Sequence, residues 1–208
     1  MSEILLYGAP LSGHSHRVEA LLRLLDLRYR LVETDMAARK TPEFLRINPF
    51  AQIPALVDGD VVLADSAAIL VYLAKRYDRS GRWLPEDPVG AAHVQRFLAL
   101  AAGELRYGAA TARAMKRWNR AGDLEAAQRI AAHLFAFTDA HLEGRDFLAA
   151  GHATIADLAF YAYTARAPEG GIPLEPYPRL RAWLERIEAI PNFLPMPSLT
   201  TSGAPLPR

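Results

Sequence analysis

In this chain of 208 residues, every run with the signature of a β-strand falls before residue 65. Beyond the polar stretch RSGRWLPEDP, residues 79–88, only helical spacing remains. That switch predicts a small α/β domain over residues 1–78 and an all-helical domain over residues 89–208. In the first part, Ile4 to Tyr7 is a short apolar run ended by Gly8 and Pro10, the mark of a buried strand. From Ser15 onward, Val18, Leu21, Leu22 and Leu25 line one helix face, and Tyr29 to Thr34 reads as the next strand. Thr41-Pro42-Glu43 opens a short helix that Pro49 stops near Asn48. Ala55 to Val57 and Val61 to Leu63 flank Asp58-Gly59-Asp60, a hairpin signal. Ser66 is then expected to cap a helix carrying Ile69, Tyr72, Leu73 and Tyr77.

In the second part, Val94, Phe97, Leu98, Ala101 and Leu105 mark a long helix from near Pro88. Gly103 and Gly108 give that helix places to bend. Ile130, Leu134, Phe137 and His141 mark a second helix, closed near Gly144. Thr154-Ile155-Ala156-Asp157 has the form of a capping box opening a third, a structural feature. Leu180, Trp183, Leu184 and Ile187 mark a fourth, and residues 195–208, with four prolines, are expected to be an extended tail.

Charge narrows the function. With 24 basic and 23 acidic residues and no basic run, neither nucleic acid nor a membrane surface is expected as a partner. The start, MSEILLYGAP, lacks the basic segment of a signal peptide, and no apolar run is long enough to cross a bilayer, so a cytoplasmic protein is expected. There is no cysteine, which removes disulfides, thiolate metal sites and any Cys nucleophile. His14 and His16 form no metal pattern with nearby acids, so no metal site is expected. A serine hydrolase built on Ser12 and His14 lacks the G-x-S-x-G elbow.

Four segments in order, the Ser-bearing loop PLSGHSHRV, then NPFAQIPAL, ADSAAILVYL and ATIADLAF, span nearly the whole chain. Together they resemble the glutathione S-transferase family, in its serine-type, theta-like branch. The resemblance implies a thioredoxin-like α/β domain before the all-α one, glutathione as co-substrate, a hydrophobic electrophile as second substrate, and a homodimer. It implies a cis bond before Pro54, with the main chain of Ile53 pairing with the cysteinyl unit of the tripeptide as a short added strand. Ser66, at a helix N-terminus, then meets the γ-glutamyl carboxylate, and Asp65 faces its ammonium group. Gln52 touches the same end, and Lys40 pairs with the glycine carboxylate. The family more often carries Glu before this Ser; Asp65 is one methylene shorter.

Transfer requires the glutathione sulfur as a thiolate. The resemblance points to Ser12 as the residue whose hydroxyl donates to that sulfur. Tyr7 at the end of the first strand, Ser15 and His14 are the rivals, and Ser15 is also a candidate helix cap. The helical domain is expected to contribute an electrophile pocket through Tyr107, Thr111, Met115 and Trp118, which share one helical spacing, with Arg113 and Asn119 adding polarity. Without a loop cysteine the chain cannot form mixed disulfides, which leaves conjugation or glutathione-dependent peroxide reduction. The alternative reading is a family-like module that binds glutathione or a protein partner without turnover.

Overall fold

The computed structural model describes residues 3–198. Among them, the parts of Met1–Arg79 and Met196–Arg208 form one compact unit and Ser80–Pro195 a second. The first unit runs β1 (Ile4–Gly8), α1 (Gly13–Leu24), β2 (Tyr29–Glu33), a 3-10 turn (Ala38–Lys40), α2 (Pro42–Ile47), β3 (Ala55–Asp58), β4 (Val61–Ala64) and α3 (Ser66–Tyr77). The sheet order is β2-β1-β3-β4. β1 is parallel to β2 and antiparallel to β3, which in turn is antiparallel to β4. A parallel pair needs a crossover, and α1 supplies it between β1 and β2. α1 and α3 pack against each other, with Val18, Leu21, Leu22, Ile69, Leu70 and Leu73 buried. This is the thioredoxin-like arrangement that the resemblance implied.

Both principal helix starts differ from the sequence reading. α1 begins at Gly13 and its N-cap is Ser12, whose Oγ accepts from the Ser15 amide at 3.3 Å. Ser15 is inside the helix, buried, with its Oγ accepting from the Ala9 amide at 3.3 Å. α3 is capped by Asp65, not Ser66. Asp65 stands at a φ of 70°, and its Oδ1 accepts from the amides of Ala67 and Ala68 at 2.8 and 3.2 Å. A carboxylate one residue earlier reaches two first-turn amides, which frees Ser66 to turn its hydroxyl inward.

The second unit runs α4 (Pro88–Leu100), a wide π-type segment (Ala101–Ala110), α5 (Thr111–Trp118), α6 (Leu124–His141), α7 (Ile155–Ala165), a 3-10 turn (Ala167–Gly170) and α8 (Pro178–Glu188). The long helix expected from Pro88 is therefore one rod whose middle is unwound. Ala101, Leu105, Gly108 and Ala109 are buried along it. Thr111 Oγ1 donates to the Arg106 carbonyl at 2.9 Å, five residues back. The two glycines differ in purpose. A Cβ at Gly108 would stand 2.8 Å from the Ala131 amide nitrogen in α6, whereas one at Gly103 would meet nothing within 4 Å. Residues 80–87, read from sequence as a linker, belong to this unit: Trp83 is buried and its carbonyl accepts from the Ile155 amide at 2.9 Å. Of the expected tail, Met196 is buried and groups with the first unit, and residues 199–208 lie outside the described residues.

Asp157 anchors the helical unit more widely than a capping box requires. Its Oδ2 accepts from the Thr154 amide at 2.8 Å and the Thr154 hydroxyl at 3.1 Å. Its Oδ1 accepts from the Leu148 amide at 3.0 Å and the Trp183 indole at 2.9 Å. Burial pushes the Asp157 carboxyl up from its ordinary range, and these donors pull it back toward the ionised form. Among the described residues no helix is long and apolar enough to cross a membrane.

Two stability predictions follow from this packing. Asp157→Ala strands four buried donors at about 1–3 kcal/mol each, so chemical denaturation should show a loss of roughly 3 kcal/mol or more. An unchanged melting temperature would count against this role. Gly108→Ala should cost about 1–3 kcal/mol through overpacking, while Gly103→Ala should gain about 0.5–1 kcal/mol from helix propensity.

Candidate glutathione site

The ends of α1 and α3 meet at Ser66. As the first residue of α3, Ser66 is buried, and its Oγ lies 3.3 Å from Arg17 Nη1 and 3.4 Å from His14 Nδ1. Both partners come from α1, whose cap is Ser12. Two helix N-termini therefore adjoin, each with first-turn amides and positive potential. A hydroxyl has one proton and two acceptor sites. The Ser12 oxygen accepts from the helix, and among the described residues its proton has no recorded acceptor.

The loop before β3 is held from within. Asn48, buried, donates through Nδ2 to the Gln52 carbonyl at 2.7 Å and accepts at Oδ1 from the Phe50 amide at 3.1 Å. The Asn48 carbonyl also accepts from the Ala51 amide at 3.0 Å, with Ala51 at a φ of 53°. The Ile53-Pro54 bond is cis. Among the described residues no main-chain hydrogen bond outside the regular elements involves the Ile53 amide or carbonyl. The Gln52 side chain is exposed, and Lys40 is exposed at the end of the 3-10 turn.

The rivals of Ser12 fall in different places. Tyr7 packs edge-on against Phe44 of α2, with ring centroids 6.0 Å apart. Ser15 pins the loop after β1, where a Cβ at Gly8 would stand 2.9 Å from its Oγ. His14 is half-buried beside Ser66.

The residues expected from the helical unit do not share one surface. Tyr107 and Trp118 are 58% and 48% exposed, whereas Met115 is 9% exposed and packs against Gly122. Thr111 is half-buried with its hydroxyl committed to the Arg106 carbonyl. Arg113, expected to add polarity, points inward instead: it is buried, pairs with Glu169 Oε2 at 2.7 Å and lies 5.2 Å from the Trp118 ring centroid. Asn119 ends α5 in the left-handed conformation, at a φ of 48°. Tyr107 lies within Ala101–Ala110, and Thr111, Met115 and Trp118 follow it in α5. Among the described residues no three His, Asp or Glu side chains stand close enough to hold a metal ion.

Residues 6–82 match the glutathione S-transferase N-terminal domain family, and residues 101–191 match the C-terminal domain family. This chain belongs to the glutathione S-transferase family. It is 34% identical to glutathione S-transferase 3 of Zea mays, over 100% of this chain and 97% of that one. A possible glutathione S-transferase from Rhodopseudomonas palustris superposes with a TM-score of 0.87 at 32% identity, covering 94% of this chain and 98% of that one. A glutathione transferase homologue from Drosophila mojavensis, solved with bound glutathione, superposes with a TM-score of 0.81 at 26% identity, covering 92% and 90%.

For this transferase, sequence reasoning missed Arg17 and Asn48. Arg17 precedes Val18 and stands four residues before Leu21, within the apolar stripe of α1, and a charge at that position was the available signal. Asn48 was read only as the end of α2. If Asp65 holds α3 as described, Asp65→Ala should lose about 1–2 kcal/mol of stability, from the lost cap and the positive φ left behind. Asp65→Gly should recover part of that in urea unfolding.

Proposed function

We propose that this chain is a glutathione transferase that holds glutathione on its first unit and activates the sulfur with Ser12. The observation that carries this is the junction of two helix N-termini at Ser66, with Ser12 capping one helix and Asp65 the other. Glutathione carries a carboxylate at each end and a thiol between them, and the site offers two adjoining places that favour negative charge, one for the γ-glutamyl carboxylate and one for the thiolate. The γ-glutamyl carboxylate goes to Ser66 and the α3 N-terminus. Asp65 Oδ1 serves the helix, and the rest of its carboxylate faces the ligand ammonium beside Gln52. The main chain of Ile53, beside Pro54, pairs with the cysteinyl unit. Lys40 meets the glycine carboxylate.

The sulfur then lies at the Ser12 hydroxyl. A thiol with a pKa near ~8.5 is mostly protonated at neutral pH, and a donor at a helix N-terminus lowers that value. Ser12 donates its proton as a hydrogen bond and forms no covalent bond. The thiolate attacks an electrophilic carbon, the C–S bond forms and the leaving group departs with its electron pair. Tyr107 and Trp118 offer exposed aromatic surface for a hydrophobic electrophile, with Thr111 and Met115 on the same rod. A homodimer in the cytoplasm completes the reading; Phe50, 84% exposed on the loop before β3, supplies apolar surface for a second copy.

The test is conjugation of glutathione to a chloro-nitroaromatic electrophile. Ser12→Ala should lower kcat by about 100-fold, the scale of losing one preorganised donor. The same variant should melt roughly 2–4 °C lower, because about 1 kcal/mol of capping goes with it. A wild-type chain that binds glutathione without turnover returns the protein to a binding module. Full activity in Ser12→Ala passes the activating role to His14, Tyr7 or the helix amides.

A further inference from the structure

Arg17 is 2% exposed, yet it carries a charge into the apolar side of α1. A buried guanidinium is costly in an interior and is kept where its charge or its donors are used. Its Nη1 donates to Ser66 Oγ at 3.3 Å. Arginine has no acceptor, so this contact settles the direction of the bond and leaves the Ser66 proton to be given elsewhere. His14 Nδ1 stands 3.4 Å from the same oxygen, within reach of its proton or of its second lone pair. Arg17 and His14 of α1 thus converge on one hydroxyl of α3.

We infer that Arg17 is a positioning residue for glutathione: from beneath, it holds the Ser66 hydroxyl with its proton turned to the mouth of α3, where it serves the γ-glutamyl carboxylate. This rests on the glutathione reading of the site. A carboxylate arriving there is a strong acceptor for that proton, because a hydrogen bond to a charged group outweighs a neutral one. Both contacts to Ser66 are long, so turning the hydroxyl toward the ligand breaks no tight bond. The guanidinium adds fixed positive charge under the carboxylate, on the same side as the α3 amides. Arg17 touches no reacting atom, so its effect belongs to ligand binding.

Titration calorimetry with two tripeptides tests this: glutathione, and the analogue whose γ-glutamyl unit is replaced by 4-aminobutyryl and so lacks the α-carboxylate. In Arg17→Met, glutathione affinity should fall about tenfold, the scale of one charge-assisted contact. Affinity for the analogue should stay within about twofold of wild type, and the conjugation assay should show KM raised with kcat held. Should the Met variant fail to fold, Arg17→Gln keeps a donor without the charge, and the same discrimination should shrink in it. Equal losses for both tripeptides, or unchanged glutathione affinity, overturn the role of Arg17. A wild-type chain that binds neither tripeptide overturns the glutathione reading itself.

Discussion

The first turn of a helix carries amides with no partner inside the helix, and the first unit is organised by how α1 and α3 satisfy them. Ser12 takes the Ser15 amide, and Asp65 takes those of Ala67 and Ala68. Each cap leaves polar capacity over: a hydroxyl proton on Ser12, carboxylate surface on Asp65. A cap needs only an acceptor, so starting a helix does not use a hydroxyl's proton.

The helical unit solves a related problem by burial. Asp157 collects donors from its own first turn, from the Leu148 amide and from the Trp183 indole, so one carboxylate joins α7 to the preceding loop and to α8. Arg113 and Glu169 form a second buried polar link, between α5 and the 3-10 turn after α7. Gly170 sits at that link, where a Cβ would stand 2.8 Å from the Arg113 amide nitrogen. Such links tie elements that apolar packing alone would leave free to slide.

The local structure around the candidate site was legible as residue types and spacing. Pro54 behind Gln52-Ile53, the Asp65-Ser66 pair and the capping box at Thr154 and Asp157 all stand where the reading put them. Which member of a polar pair did which task was not legible. Asp65 and Ser66 are both good caps, and the choice was made by a positive φ that allows the earlier residue to reach two amides. Ser12 and Ser15 were likewise interchangeable on paper, until the Ala9 amide engaged Ser15. Met115 and Arg113 lie on the buried side of α5 with Ala112, and helical spacing alone does not tell a buried face from an open one.

The sequence by itself determined the order of elements, the change from mixed to helical structure and the family, because periodicity and turn residues act over a few positions. Only the tertiary structure decided that Arg17 and His14 share Ser66, which lies 49 and 52 residues further along the chain. That contact exists because α1 and α3 pack together, which brings their first turns side by side. Local pattern carries no information about which distant hydroxyl a buried cation will meet; packing does.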